Sequence, residues 1–220
     1  MKSVLAAVVL IFSTSTFAQV VSVNVFEPLA GKGPLTAQYF REARGILQAA
    51  GAGVALSNDL DGTYRFAVVF ENWEAYGNWF SSLATNADWA AFQGRIAANP
   101  SALQTDNILL NGVSVAEAGG GPGAVTQVTV WEVTTGTMGQ LVQGGLDAKP
   151  IHERAGSAVS VYTSPGNRMY YLQRYDNMAA WGRDQDTPNP EFQAYMQELG
   201  AANNGNLGAV IVDTFTIVGM

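Results

Sequence analysis

The chain repeats itself at a spacing of 105 residues. Residues 20–77 align without a gap on residues 125–182, and fourteen of the 58 pairs are identical, several times what composition alone would give. Val20, Val23, Val25 and Glu27 return as Val125, Val128, Val130 and Glu132. Ile46, Ala50, Gly51 and Val54 return as Ile151, Ala155, Gly156 and Val159. Asn72, Ala75 and Gly77 return as Asn177, Ala180 and Gly182. A period of this length is too long for a solenoid and suits a duplicated small domain.

The first eighteen residues have the pattern of a secretory leader. Lys2 gives a positive start, Val4 to Phe12 an apolar run, and residues 13–18 a small-residue cleavage site before Gln19. The run is shorter than the ~20 apolar residues a membrane span needs, and no later stretch reaches that length. The expected mature chain therefore works in a periplasm or outside the cell, with no membrane span. It has no Cys, so no disulfide can form there, and stability must come from apolar burial. The whole chain has 11 basic and 18 acidic residues, and loss of Lys2 makes the balance more acidic still. No segment clusters Lys or Arg, so a nucleic-acid partner is not expected.

Residues 116–123 are Gly-rich and read as a linker between the repeats, 19–115 and 124–220. Each repeat shows the same order of patterns. Residues 20–26 alternate and read as a strand. A helix follows over 35–50, ended by Gly51. Strands follow at 53–57 and 63–70. Asn72 is placed to cap a helix over 73–83, and a further helix covers 88–98 before a closing strand at 106–115. The second repeat gives strands at 125–133, 158–163, 168–175 and 209–218, with helices at 138–155, 177–182 and 190–201. Pro150 is expected to break or kink the first of these helices. The order is β-α-β-β-α-β, twice.

One such unit covers only one face of its sheet with helices, so the two open faces can meet and enclose a barrel. Strand parity groups the side chains. Val23 and Val25, like Val128 and Val130, share one face; Ser22, Asn24 and Phe26, like Gln127, Thr129 and Trp131, share the other. The expectation is that the valines lie under the helices. The mixed face, with Tyr171, Gln173 and Tyr175, would then line the space between the sheets.

The strand ends Phe26-Glu27 and Trp131-Glu132, the run from Ile151 through His152 to Gly156, and the pairs Glu71-Asn72 and Asp176-Asn177 resemble the dimeric α+β barrel superfamily. Ala87-Asp88-Trp89 and Asn189-Pro190-Glu191-Phe192 add to the likeness. The resemblance is to its NIPSNAP-like and antibiotic-biosynthesis-monooxygenase-like branches, here in tandem in one chain. It implies an α+β fold of two ferredoxin-like repeats forming a pseudo-dimeric barrel. It does not imply one activity, because the fold hosts cofactor-free oxygenases, isomerases, cyclases and haem enzymes.

Candidate chemistry is sparse. His152 is the sole histidine; haem-binding members of the superfamily use a histidine ligand, but its place beside Ile151 predicts a half-buried structural residue on the helix side. Without Cys, and with one His lacking carboxylates at ligand spacing, no metal is expected. Asp59, Asp61, Asp184 and Asp186 read as acids in turns. Glu27 and Glu132 read as solvated acids at strand ends. Asp213, alone in an apolar strand, would be a catalytic candidate if buried, and Tyr171 and Tyr175 join it. The glycines of the linker do not open a strand-to-helix turn, so they are no cofactor fingerprint, and no cofactor is expected. Asn24, Phe26, Gln127, Thr129, Trp131 and Gln173 combine apolar walls with a few amides and hydroxyls, the pattern of a small-ligand site.

The leading expectation is a protein that binds a small apolar or aromatic molecule between its sheets. A cofactor-independent enzyme is the alternative, and a non-catalytic interaction module a third. The oligomeric state is left open.

Overall fold

The computed structural model describes residues 19–116, 121–205 and 207–220. The leader and residues 117–120 of the Gly-rich linker lie outside them. The first repeat comprises β1 (Val20–Pro28), α1 (Gly33–Ala49), β2 (Gly53–Asp59), β3 (Tyr64–Phe70), α2 (Trp73–Leu83), α3 (Ala87–Ala98) and β4 (Ala102–Ser114). The second comprises β5 (Val125–Val133), α4 (Met138–Arg154), β6 (Ala158–Ser164), β7 (Arg168–Tyr175), α5 (Met178–Asp186), α6 (Pro190–Ala202) and β8 (Ala209–Gly219). The 105-residue offset carries β1 onto β5, α1 onto α4 and β2 onto β6, end for end.

Local chemistry explains the boundaries. Asn72 and Asn177 accept from the backbone N–H of Ala75 and Ala180, capping α2 and α5. Asn86 and Asn189 do the same for α3 and α6. Thr137 and Gln140 form a capping box at the start of α4. Gly51 and Gly156, at φ +88° and +102°, follow the ends of α1 and α4 in the left-handed region. Of the break or kink expected at Pro150, the break does not occur, and α4 runs through the proline. The ring removes one helical hydrogen bond, but the helix is held on both sides of it by burial of Gly145, Ala148, Ile151 and His152.

The strands form one closed barrel in the order β1-β3-β2-β8-β5-β7-β6-β4. Each repeat supplies a four-stranded antiparallel set, and the sets join where β2 meets β8 and β4 meets β6. Both first strands carry a register shift at the same place, between Val25 and Phe26 and between Val130 and Trp131.

The faces are the reverse of the sequence-based expectation. Val21, Val23, Val128 and Val130 pack with Val69, Leu110, Leu172 and Phe215 in one cluster drawn from both repeats. That cluster is the barrel interior. Asn24 and Phe26 pair with Phe66 and Tyr64, and Phe66 packs under α1. Gln127, Thr129 and Trp131 pair with Gln173, Tyr171 and Met169 on the side of α4. The reason is size. An eight-stranded barrel leaves an interior just wide enough for side chains to fill, and compact β-branched residues from two sheets fill it. The longer aromatic residues need the deeper layer beneath the helices.

Candidate functional site

The pseudosymmetry breaks at one place. In the first repeat Phe40 of α1 stands edge-on to Phe26, Tyr64 and Phe66, with ring centroids 5.0, 5.5 and 5.4 Å away. This aromatic plug fills the layer between helix and sheet. At the 105-residue offset, Phe40 becomes Gly145 and Tyr39 becomes Gly144. The partners become Trp131, Met169 and Tyr171. No ring on α4 replaces the plug; Met169 closes in on Gly145, and a cleft of about 760 Å³ opens between the sheet of the second repeat and helices α4 and α6. That volume suits a small organic molecule. The helix also approaches the sheet closely here: a Cβ at Gly145 would stand 3.0 Å from Met169 Sδ.

Of the residues singled out by sequence, Gln127, Thr129, Trp131, Tyr171 and Gln173 all line this cleft. They line it from the helix side of the sheet, not from between the sheets as expected. Asn24 and Phe26 belong to the filled first repeat. Asn24 Oδ1 accepts from Gln104 and Asn107 at 3.0 and 2.7 Å, and Phe26 is part of the plug. Asp213 is exposed and pairs with Val130, so it has neither the burial nor the position of a cleft acid. Tyr175 lies one step beyond the cleft. Glu132 is an exposed partner of Arg168 at 2.9 Å. Asp59 and Asp184 are not free turn acids: Asp59 is buried with Arg65, and Asp184 sits on α5 against Tyr175.

His152 was expected outside the barrel and half-buried. It lies on the helix side but is 8% exposed, and it reaches the cleft. Its ring is covered by Phe192 at 4.4 Å and Tyr171 at 5.7 Å between centroids. Its Nδ1 is 2.8 Å from Gln173 Nε2. The same amide nitrogen donates to Tyr175 Oη at 3.2 Å, and Tyr175 donates to Asp184 Oδ2 at 2.7 Å. Burial lowers the His152 pKa below 6.5, partly offset by the Asp184 carboxylate. Burial raises that of Tyr175, and the Asp184 carboxylate adds to the rise. The histidine is therefore neutral and the phenol protonated at neutral pH.

Tyr171 is the second unusual group. It is 7% exposed, and its hydroxyl has no hydrogen-bond partner among the described residues. Burial pushes its pKa far above 10, so the proton stays. A buried hydroxyl without a partner costs about 1–3 kcal/mol. An acceptor brought in by a ligand would remove that cost.

Aromatic rings flank the imidazole on both sides, and its Nδ1 is engaged by Gln173. No group of three or more His, Cys, Asp or Glu that could hold a metal ion occurs among the described residues. Sequence reasoning missed Gly144 and Gly145, although their pairing with Tyr39 and Phe40 at the repeat offset was open to view.

The sequence matches no family model and no curated protein. Solved structures do match over nearly the whole chain. A proposed monooxygenase from Fusobacterium nucleatum subsp. nucleatum ATCC 25586 is 13% identical, with 94% of this chain and 93% of that one covered and a TM-score of 0.62. A proposed monooxygenase from Lactobacillus acidophilus NCFM is 14% identical, covers 92% and 94%, and has a TM-score of 0.60. An anthrone oxidase-like protein is 14% identical over 92% and 91%, with a TM-score of 0.52. At these identities the likeness is one of fold, and the fold is the ferredoxin-like α+β barrel, built here from two repeats of one chain.

Proposed function

We propose that the chain binds a small, largely apolar or aromatic molecule in the cleft of its second repeat, between the sheet and helices α4 and α6. The observation that carries this reading is the exchange of Phe40 for Gly145. One repeat fills this layer with an aromatic ring; in the other Met169 closes in on the glycine, and a cleft stays open beside it toward α6. Trp131, Met169 and Phe192 supply apolar walls. Gln127 is held by Trp181 Nε1 at 3.0 Å, so its amide is oriented rather than free. Export of the mature chain belongs to the same reading and rests on the leader pattern of residues 1–18.

The test is to refill the space. Gly145→Phe, paired with Met169→Ala to admit the ring, should leave the fold intact and remove uptake of small aromatic molecules. The readouts are circular dichroism, and mass spectrometry of molecules that co-purify with the wild type from its native compartment. Equal recovery of the same molecules from both proteins would refute the site.

A second reading is a cofactor-independent enzyme acting on a phenolic or enolisable substrate. It is favoured by a neutral imidazole and an unpartnered phenol on adjacent rings, a pair able to stabilise an oxyanion. The likeness in fold to proposed monooxygenases and to an anthrone oxidase-like protein supports it by analogy. Oxygen uptake with anthrone as probe is the measurement. No uptake above the rate for Tyr171→Phe would count against it.

A further inference from the structure

The buried chain from Asp184 to His152 is not needed to form the cleft. It runs away from it, into a neighbouring cleft of about 540 Å³ that Tyr175 and Asp184 line together with Ile151 and Asn189. Its importance lies in proton order. An ionised Asp184 can only accept, so the single proton of Tyr175 points at it. Tyr175 Oη is then an acceptor on its other side, and the group of Gln173 that faces it must be the NH₂ end. The same nitrogen faces His152 Nδ1. Nδ1 must therefore be the bare, accepting nitrogen, which leaves the imidazole proton on Nε2. Among the described residues Nε2 makes no hydrogen bond.

We propose that Asp184, Tyr175 and Gln173 fix His152 as its Nε2–H tautomer, so that the cleft offers a hydrogen-bond donor and selects ligands carrying a carbonyl or phenolate oxygen. Asp184 and Tyr175 are positioning residues that act through Gln173 from outside the cleft. The unpartnered Tyr171 hydroxyl is the second donor on the adjacent ring. The ligand preference rests on the binding reading above. The tautomer does not, because it is a property of the empty protein.

The sole histidine makes the test direct. In full-length mature protein labelled with ¹⁵N-histidine, one imidazole is observed, and its two-bond ¹⁵N–¹H couplings identify the tautomer. The wild type should show Nε2–H alone at neutral pH. Tyr175→Phe frees the Gln173 amide to turn and should give a mixture. Gln173→Glu puts an acceptor against Nδ1 and should move a proton there. A wild type in the Nδ1–H form, or a tautomer unchanged in both variants, overturns the proposal.

Ligand preference is read with two probes of equal shape, 1-acetylnaphthalene and 1-ethylnaphthalene. The acetyl compound should bind about tenfold more tightly to the wild type, the effect of one net hydrogen bond to a buried donor. That ratio should fall toward one in Tyr175→Phe. Equal affinities for the wild type refute the preference. Binding of neither probe refutes the cleft as a site for such molecules, while the tautomer is decided separately by the spectrum.

Discussion

Arg65 and Asp59 form a two-pronged ion pair at 2.8 and 2.7 Å, with side chains only 12% and 8% exposed. The guanidinium also lies over the Phe215 ring, 3.7 Å from its centroid, and so ties the first repeat to β8 of the second. Removing one partner of such a pair leaves a buried charge without compensation, at about 3–5 kcal/mol. Arg65→Leu should lower the unfolding free energy by that order in urea titration. Asp59→Leu added to it should recover much of the loss. His152 makes a different contribution. Its folded pKa lies below 6.5, so between that value and 6.5 the unfolded chain binds a proton that the folded chain does not. Stability therefore rises with pH across this window and falls on acidification through it. His152→Gln should flatten this part of the profile, with wild type and variant compared by urea denaturation at pH 7.5 and pH 5.5. None of these three residues' roles was legible in the sequence. Arg65 and Asp59 are six apart across a hairpin, and the Gln173–His152 contact exists only once α4 has docked on β7.

At the scale of elements, much more could be read. The capping asparagines, the end glycines and the order of strands and helices are local, and each follows from a few neighbouring residues. Strand parity correctly grouped Gln127, Thr129 and Trp131, and separately the valines. Parity states which side chains share a face and says nothing of which face turns toward the helices. That choice depends on how two sheets fill a barrel, a property of the assembled molecule, and there the expectation failed. The helix is not broken at Pro150 for a related reason: intrinsic propensity yields to burial on both sides of the ring. The wall of the cleft can be loosened from an element's end. Asn189 Oδ1 accepts from the N–H of Glu191 and Phe192 at 3.0 and 3.1 Å, and Phe192 is the ring laid on His152. Asn189→Ala should cost about 1 kcal/mol. It should also speed amide exchange in α6 more than in α3, as measured by hydrogen–deuterium exchange.

The molecule as a whole is two copies of one unit, each leaving an apolar sheet face that the other covers. Val21 and Leu110 of the first repeat are buried, and Val69 half-buried, in one cluster with Val128, Val130 and Tyr170 of the second. The seams are related in the same way. β2 meets β8, and β4 meets β6, where β8 is the counterpart of β4 and β6 of β2. Two copies of the first repeat could therefore close the same barrel, with β4 of each copy against β2 of the other. The first repeat also has its helix layer filled by Phe40, so its monomer lacks no internal packing other than the sheet face. A protein of residues 19–116 alone should accordingly form a homodimer, the arrangement in which that face is covered. Light scattering coupled to size-exclusion chromatography, with far-ultraviolet circular dichroism on the same fractions, is the measurement. A folded monomer would show that the sheet face tolerates water and that the interior valines are not what joins the halves. A dimer whose stability grows with concentration would show that barrel closure is an association between equivalent units, made intramolecular here by the chain between them.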